Sequence, residues 1–176
     1  INLKMMDLPS KNDYSQIASF WDKDTLNETY WSMRIWNERN DNGKVELEIS
    51  VEDTFGWNSV FFELPYGEGF NIGEWMWISA SVTNGDVDID LINRGGKVKH
   101  FNGNVQIRSN IDIRPIDSLL IANNDNNGSL SWKAKPFEGI VSKIEYYIKN
   151  SSDYIDSDTW DFSSPTPSLS ISSFYG

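Results

Sequence analysis

Three tryptophans occupy positions where flat aromatic rings could form a surface for a ligand. Trp75 and Trp77 are separated by one residue within an apolar run, and Trp36 ends a similar run behind Tyr30 and Arg34. Because successive side chains of a β-strand point to opposite faces, Trp75 and Trp77 are predicted to share one face. A flat aromatic surface ringed by polar groups suits the apolar C–H faces of a sugar ring. The same pattern would arise if these rings packed against a second layer of the protein.

The predicted strands that carry these rings also carry polar side chains that could hydrogen-bond to sugar hydroxyls. If the aliphatic residues of four strands face one core, their opposite faces carry a mixture of aromatic, acidic, amide and guanidinium groups, of which the charged ones make the stronger hydrogen bonds. Trp57 joins the set because it lies in a loop-like stretch, where aromatic residues often rim a cleft. We predict that the ligand binds to one aromatic and polar sheet face formed by Tyr30, Arg34, Trp36, Trp57, Trp75, Trp77, Asp88, Asp90, Gln106 and Arg108.

A second candidate site is the acidic strand that contains Glu46, Glu48 and Glu52. Laminarinase-type glycoside hydrolases of the β-jelly-roll class carry an acidic strand motif, Glu-x-Asp-x-x-Glu, to which this run is similar with one extra residue between the first and last acids. Alternate residues of one strand lie roughly 6.5–7 Å apart, which is compatible with a catalytic carboxylate pair. The alternative is an acidic strand face that is exposed to water.

Three Asp- and Asn-rich segments could supply oxygen ligands to a structural calcium ion. They are residues 40–43, 124–126 and 153–161. Calcium takes six to eight oxygen ligands, and none of the three segments has the spacing of an EF-hand loop. A structural calcium ion therefore stays an open alternative with no assigned ligands, and no cofactor is required by the sequence.

Composition limits the classes of partner. The chain has 176 residues with a formal net charge of −11, and 39% of its residues are hydrophobic, which is enough to build a core. Nucleic acid and membrane are not expected as partners, because phosphate contacts need clustered cations and no long apolar run is present. The chain has no cysteine and a single histidine, so cysteine chemistry and histidine-based zinc sites are not expected either.

Alternation of apolar and polar residues with a period of two predicts the fold class. The predicted strands are 29–37, 44–52, 59–64, 75–83, 86–92, 104–108, 111–113, 118–122, 130–135, 143–149 and 168–174. Short strands separated by Gly, Asn, Asp and Pro clusters predict an all-β fold, an antiparallel β-sandwich or jelly roll of roughly ten short strands. We expect one domain over residues 1–176, with 1–16 as a loosely structured lead-in and 168–174 as the final strand.

The layout of the chain resembles a β-jelly-roll carbohydrate-binding module of the type appended to polysaccharide-degrading enzymes. The resemblance covers most of the chain. It is carried by the segments Ser19-Phe20-Trp21-Asp22, Tyr30 to Trp36, Asn42 to Leu47, Gly56-Trp57, Trp75 to Val82, Val141 to Ile144 and Ser170 to Phe174. Such modules often hold a structural calcium through an Asp-Asn pair in the last strand, where this chain has Ser172-Ser173.

The resemblance implies a non-catalytic module, secreted or at the cell surface, that binds a neutral polysaccharide such as a β-glucan, xylan or mannan. The chain would then be a monomeric part of a larger glycoside hydrolase or surface complex. Two alternatives remain open. The aromatic surface could bind protein in a structural or adhesive domain, or the acidic strand could belong to a jelly-roll glycoside hydrolase.

Overall fold

The chain folds almost entirely into β-strands. The computed structural model describes residues 1–21, 30–53, 55–106, 118–121, 137–150 and 153–161. Within these ranges there are eleven strands and a 3₁₀ turn at Arg39–Asp41. The strands are β1 Asn2–Met5, β2 Asp13–Trp21, β3 Tyr30–Asn37, β4 Val45–Asp53, β5 Gly56–Glu63, β6 Trp75–Thr83, β7 Asp86–Asn93, β8 Gly96–Asn104, β9 Ser118–Ile121, β10 Gly139–Asn150 and β11 Asp153–Asp161. The predicted all-β class is confirmed.

The strands form two antiparallel sheets that share one core. Sheet A has the strand order β11-β10-β1-β6-β7-β8, and sheet B has the order β5-β4-β3-β2-β9. Each described strand pair is antiparallel. The chain passes from sheet B to sheet A through residues 64–74, between β5 and β6. This arrangement confirms the predicted antiparallel β-sandwich.

The core follows from the alternation of apolar residues along the strands. On β4, Leu47 and Ile49 are fully buried, and Ile78 and Ile89 are buried from the opposite sheet. Burying an aliphatic side chain of this size contributes about 1.5–3 kcal/mol each. At one edge of the sandwich, Gly103 of β8 faces the β5 side chains directly, since a Cβ atom at that position would lie 3.0 Å from the Phe62 ring.

The expected loose lead-in at residues 1–16 is wrong. β1 lies near the middle of sheet A, between β10 and β6, and its Leu3 and Met5 are buried. A four-residue strand gives little periodic signal by itself. Its pairing is fixed by β6 and β10, which lie more than 70 residues away in sequence.

Three longer strands also escaped the alternation rule, each for a different reason. The register of β2 shifts between Gln16 and Ala18, so its apolar residues lose the period of two. β8 is a polar edge strand with Lys97 and Lys99, as edge strands often are. β11 contains four aspartates, so its composition is that of a polar loop and not of an alternating strand. The predicted strands 111–113, 130–135 and 168–174 lie outside the described residues. Of the predicted strand 104–108, residues 104–106 are described, and residue 104 alone among these three belongs to a strand.

Candidate functional site

The predicted ligand-binding residues lie on two opposite outer surfaces of the sandwich. Arg34 and Trp36 belong to β3 in sheet B, whereas Trp75 and Trp77 belong to β6 in sheet A. Both pairs alternate with buried core residues, so each pair points away from the core on its own sheet. The expectation of one combined surface is therefore wrong. Alternation reports which side of a strand faces the core, but not which of two sheets holds the strand.

We call the outward side of sheet B the B surface and the outward side of sheet A the A surface. The B surface is formed by Tyr14, Arg34, Trp36, Glu46, Glu48, Trp57, Ser59 and Phe61. The A surface is formed by Asn2, Lys4, Trp75, Trp77, Asp88, Asp90, Ile92, His100 and Lys143.

Glu48 is the centre of hydrogen bonding on the B surface. Its carboxylate accepts a hydrogen bond from the indole Nε1 of Trp36 at 2.6 Å and another from Ser59 Oγ at 2.7 Å. Arg34 Nη1 lies 3.5 Å from the same carboxylate. The partners come from β3 and β5, the two strands that pair with β4. Because Glu48 is only 4% exposed, these charge-assisted bonds hold the Trp36 ring in a fixed orientation.

Glu46 positions Arg39, which packs on the ring of Phe61. Its Oε2 accepts hydrogen bonds from Arg39 Nε at 3.2 Å and Asn42 Nδ2 at 2.9 Å. The Arg39 guanidinium carbon lies 3.6 Å from the centroid of the Phe61 ring, which is a close cation–π contact. Arg39 is therefore fixed from two sides, by a buried carboxylate and by an aromatic face.

The side chains of Glu46 and Glu48 on the acidic strand are therefore not exposed to water. Both side chains are buried, and both carboxylates receive hydrogen bonds from neighbouring side chains. An isolated buried carboxylate is costly, but one that accepts several hydrogen bonds anchors its donors. The side chain of Glu52, the third acid of the strand, lies outside the described part of the chain.

Arg34 lies between two aromatic rings of the B surface. Its guanidinium carbon is 4.9 Å from the Tyr14 ring centroid and 5.0 Å from that of Trp57. Tyr14 in turn packs on Trp36, with ring centroids 4.7 Å apart. The structure therefore brings together three of the predicted residues, Arg34, Trp36 and Trp57, which come from β3 and β5.

A shallow depression of about 560 Å³ opens beside this cluster. It is lined by Asn12, Trp36, Arg39, Asn40, Asp41 and Phe61. The two aromatic residues give it apolar walls, and the other four supply hydrogen-bond donors and acceptors. A concave site that combines apolar walls with a few convergent polar groups is typical of small-ligand binding.

The polar side of the depression is built from two loops that bind each other. Asn12 Nδ2 donates to Asp41 Oδ1 at 2.9 Å, and the Asp41 backbone N–H donates to Asn12 Oδ1 at 3.1 Å. Lys11 forms ion pairs with Glu38 at 2.9 Å and Asp41 at 3.2 Å. The hydrogen bond from Asn12, followed by that from Lys11, lowers the pKa of Asp41 below its ordinary value.

The backbone around the depression is held in an uncommon conformation. Asn12, Glu38, Asn40 and Asp41 have positive φ angles of 61°, 48°, 54° and 57°. Non-glycine residues adopt this left-handed region rarely, and they persist there when surrounding contacts enforce it. Here the reciprocal Asn12–Asp41 hydrogen bonds enforce it, so the loops present their polar groups in a defined geometry.

The A surface has a different composition. Trp75 and Trp77 are half-buried, and β1 places Lys4 opposite Trp75 and Asn2 opposite Trp77. The ammonium group of Lys143 lies 5.8 Å from the centroid of the Trp77 ring and forms an ion pair with Glu145. The two tryptophans thus lie in a row along the central part of sheet A, with polar side chains on the neighbouring strand.

Asp88 and Asp90 lie further along the A surface in an ion-pair cluster. Asp90 pairs with Lys97 and with His100, whose Nδ1 is 2.8 Å from Asp90 Oδ1, and His100 Nε2 lies 3.5 Å from Asp88. The hydrogen bond from Lys97, with that from His100 second, holds the pKa of Asp90 below its ordinary value. Both predicted acids therefore face solvent on sheet A rather than joining Arg34.

The remaining predicted residues add little to either surface. Tyr30 begins β3 at a register position on the same face as Arg34, and its side chain is not among those described. Gln106 is exposed just after β8, at the end of sheet A where Val105 bonds to Gly85. Arg108 lies outside the described residues.

The proposed calcium segments give no ligand set among the residues that the structure describes. Within those ranges no group of three or more His, Cys, Asp or Glu side chains could hold a metal ion. In residues 40–43, the Asp41 carboxylate is taken by Asn12 and Lys11. Residues 124–126 lie outside the described residues, as do the side chains of 153–161.

Of the six residues that line the depression, sequence patterns predicted only Trp36 as ligand-binding. Arg39, Asn40 and Asp41 lie in a hairpin loop, and Asn12 lies in a stretch expected to be a loose lead-in. Phe61 alternates with Val60 and Phe62 in an aromatic run that gives no sign of which ring faces outward. The alternation of Glu46 and Glu48 with core residues was visible in the sequence, and it placed both acids on the outward face of the sheet.

Comparisons with known proteins give no family for this chain. No protein-family model matches it, and no curated protein or solved structure matches it either. In the described part of the chain no helix is long and apolar enough to cross a membrane. The fold and the two surfaces are therefore the basis for any functional interpretation.

Proposed function

We propose that this chain is a non-catalytic glycan-binding module whose B surface, at the depression beside Trp36 and Phe61, binds a neutral polysaccharide. The observation that carries the proposal is the fixing of these two rings: Trp36 is hydrogen-bonded to buried Glu48, and Phe61 is covered by Arg39 bound to Glu46. Side chains that are already ordered lose little further freedom on binding, which lowers the entropic cost of binding a ligand.

The residues that line the depression can contact both the apolar faces and the polar hydroxyls of a sugar. A pyranose ring has apolar C–H faces that pack on aromatic rings, and its hydroxyls both donate and accept hydrogen bonds. Asn40 and Asn12 offer amide groups, and Arg39 offers its terminal guanidinium nitrogens, since its Nε is used by Glu46. The depression is open, so a ligand could extend beyond it along the sheet.

Electrostatics favours a neutral glycan. The chain has a net charge of −11, and the cations nearest the depression are paired with carboxylates: Lys11 with Glu38 and Asp41, and Arg39 with Glu46. A polyanion would meet a repulsive field with no surplus cation to offset it. A β-glucan, xylan or mannan avoids this cost, and the expected affinity is about micromolar or weaker.

The proposed setting is outside the cell, as a monomeric part of a larger glycoside hydrolase or surface complex. Neither a cofactor nor a metal ion is needed for the proposed binding. The acidic residues support this reading, because Glu46 and Glu48 are engaged in holding Arg39 and Trp36. Free carboxylates facing a cleft would be needed for an acid–base pair.

Affinity electrophoresis in native gels with β-glucan, xylan, mannan or no polysaccharide tests the proposal. We expect one polysaccharide to retard the wild-type chain, and Phe61→Ala to reduce the retardation by about tenfold in apparent affinity. Tyr66→Ala removes an exposed aromatic side chain (47% exposed) from the loop between β5 and β6 and should behave like wild type. Thermal unfolding of each variant separates lost binding from lost folding.

The proposal fails if no gel retards the wild type, or if folded Phe61→Ala migrates as wild type does in the retarding gel. In the first case an adhesive domain that binds protein becomes the better interpretation. In the second case the ligand is glycan, but the depression on sheet B is not where it binds.

A further inference from the structure

The A surface carries two tryptophans that a ligand bound to the B surface cannot contact. Trp75 and Trp77 lie on β6 of sheet A, and Trp36 and Phe61 lie on strands of sheet B. Sheets of a sandwich pack about 10 Å apart, and the side chains of the two outer surfaces point in opposite directions. A ligand stacked on Trp36 therefore cannot contact Trp77 without passing around an edge of the sandwich.

The spacing of Trp75 and Trp77 suits an extended ligand that runs along the strand. Alternate residues of a strand are roughly 6.6 Å apart, which is comparable to the length of one sugar unit in an extended chain. Both rings are half-buried, so their positions are restrained by their neighbours while part of each ring remains accessible. This arrangement gives two adjacent stacking positions on a rigid sheet.

Polar groups lie beside each ring at distances that the sheet fixes. Lys4 is directly opposite Trp75, and Asn2 is directly opposite Trp77, one strand spacing away. Lys143 places its ammonium 5.8 Å from the Trp77 ring centroid, where it can donate to a hydroxyl above the ring.

We infer that the A surface is a second glycan-binding surface and that the module is bivalent, holding two glycan chains on opposite sides of one sandwich. This inference rests on the proposed function of the B surface. Its consequence is a cross-linking activity: because the two surfaces face opposite ways, one module joins two chains instead of binding one chain twice. A module with a single surface would bind the same glycan without joining chains.

The test uses the polysaccharide that retards the wild-type chain, in a soluble high-molecular-weight form. Static light scattering is recorded while the protein is titrated into the polysaccharide, with affinity electrophoresis run in parallel. Wild type should raise the scattering and then lower it at protein excess, because the glycan segments are then saturated by separate modules that each bind through one surface. The double variant Trp75→Ala/Trp77→Ala should lose about tenfold or more of the scattering increase, yet still be retarded in the gel through the B surface.

The variant Phe61→Ala tests the contribution of the B surface, and Tyr66→Ala is the matched control. Phe61→Ala should also lose cross-linking while keeping the retardation that comes from the A surface. If the double variant cross-links as wild type does, the second surface is overturned, and a loss in Phe61→Ala leaves the proposed function intact. If Phe61→Ala matches wild type and the double variant loses all retardation, the proposed B site and bivalence are both overturned.

A second copy of this chain is the alternative ligand of the A surface, because Ile140 lies opposite Lys4 on β10 and is 50% exposed. Size-exclusion chromatography with light scattering, over a hundredfold range of protein concentration and without glycan, separates this case. A concentration-dependent dimer that the Trp75→Ala/Trp77→Ala change abolishes would overturn the inference. A monomer at all concentrations, together with the loss of cross-linking in the double variant, supports it.

Discussion

Trp36 and Glu48 are diagonal neighbours across the β3–β4 pair, and the indole N–H of Trp36 donates to Glu48 Oε2 over 2.6 Å. Glu48 is 4% exposed and also accepts from Ser59, so one buried carboxylate connects three adjacent strands of sheet B. An exposed aromatic ring is usually free to change rotamer. Here the ring that lines the depression has its orientation set by a buried charge-assisted hydrogen bond.

Replacing Glu48 should destabilise the fold as well as the surface. Glu48→Ala removes the buried acceptor of the N–H of Trp36, the hydroxyl of Ser59 and the guanidinium of Arg34, of which the first and last are half-buried. The free energy of unfolding should fall by about 3 kcal/mol, since removal of one partner leaves the others unpaired. Urea unfolding followed by circular dichroism measures the change.

Glu63→Ala is the matched control for Glu48→Ala. Glu63 lies on the neighbouring strand β5, is exposed, and pairs with Lys44. Its removal should leave the urea midpoint unchanged, because exposed ion pairs contribute little to stability. Equal midpoints for wild type and Glu48→Ala would show that the Glu48 network does not hold the sheet.

The sequence predicted the strands that have a clear period of two and missed the others. β4, β6 and β7 alternate strictly and were predicted within one residue at each end. β1 is too short to show a period, and the shift between Gln16 and Ala18 hides it in β2. β1 pairs with β6 and β10, which are distant in sequence, so local patterns cannot specify it.

The candidate site could be predicted only in part. Alternation placed Arg34, Trp36, Trp75 and Trp77 on outward faces, and the structure agrees. It could not divide them between two sheets, because the sheet to which a strand belongs depends on pairing rather than on its own sequence. Arg39 lies in a hairpin loop whose conformation depends on hydrogen bonds to a second loop at Asn12. Local sequence patterns do not reveal this contact, because the two loops are distant in sequence.

The guanidinium of Arg39 should matter for ligand binding through its shape more than through its charge. Arg39→Lys keeps the positive charge near Glu46 but loses the flat contact on Phe61 at 3.6 Å and the forked set of donors. We expect glycan affinity to fall roughly tenfold with little change in thermal stability. Isothermal titration with an oligosaccharide of the retarding glycan measures this change. If Arg39→Lys binds as wild type does, Arg39 serves only to neutralise Glu46.

A side chain added at Gly103, where the two sheets meet, should destabilise the fold by crowding its neighbours. A Cβ atom there would lie 3.0 Å from Phe62 and from Val60, and Phe62 packs on Phe101 with ring centroids 5.5 Å apart. Gly103→Ala should lower the free energy of unfolding by about 1–3 kcal/mol, and Gly103→Val by more, because overpacking forces buried side chains to move. Asn102→Ala, at the exposed neighbouring position, should be close to neutral in thermal unfolding. A stabilising Gly103→Ala would mean that the two sheets are loosely packed at this edge.

The Asp90 cluster should give a measurable pH dependence at the acidic end. Lys97 and then His100 lower the pKa of Asp90 from its ordinary value of 3.8. A carboxylate with a lowered folded-state pKa contributes stability above its unfolded-state pKa, and this is lost as the pH falls through the folded value. The effect is therefore confined to pH below about 4. Titration of the carboxyl carbons by NMR should show the Asp90 pKa rising in Lys97→Met and moving less in His100→Asn. An Asp90 pKa that is unchanged in Lys97→Met would show that the ion pair does not persist in solution.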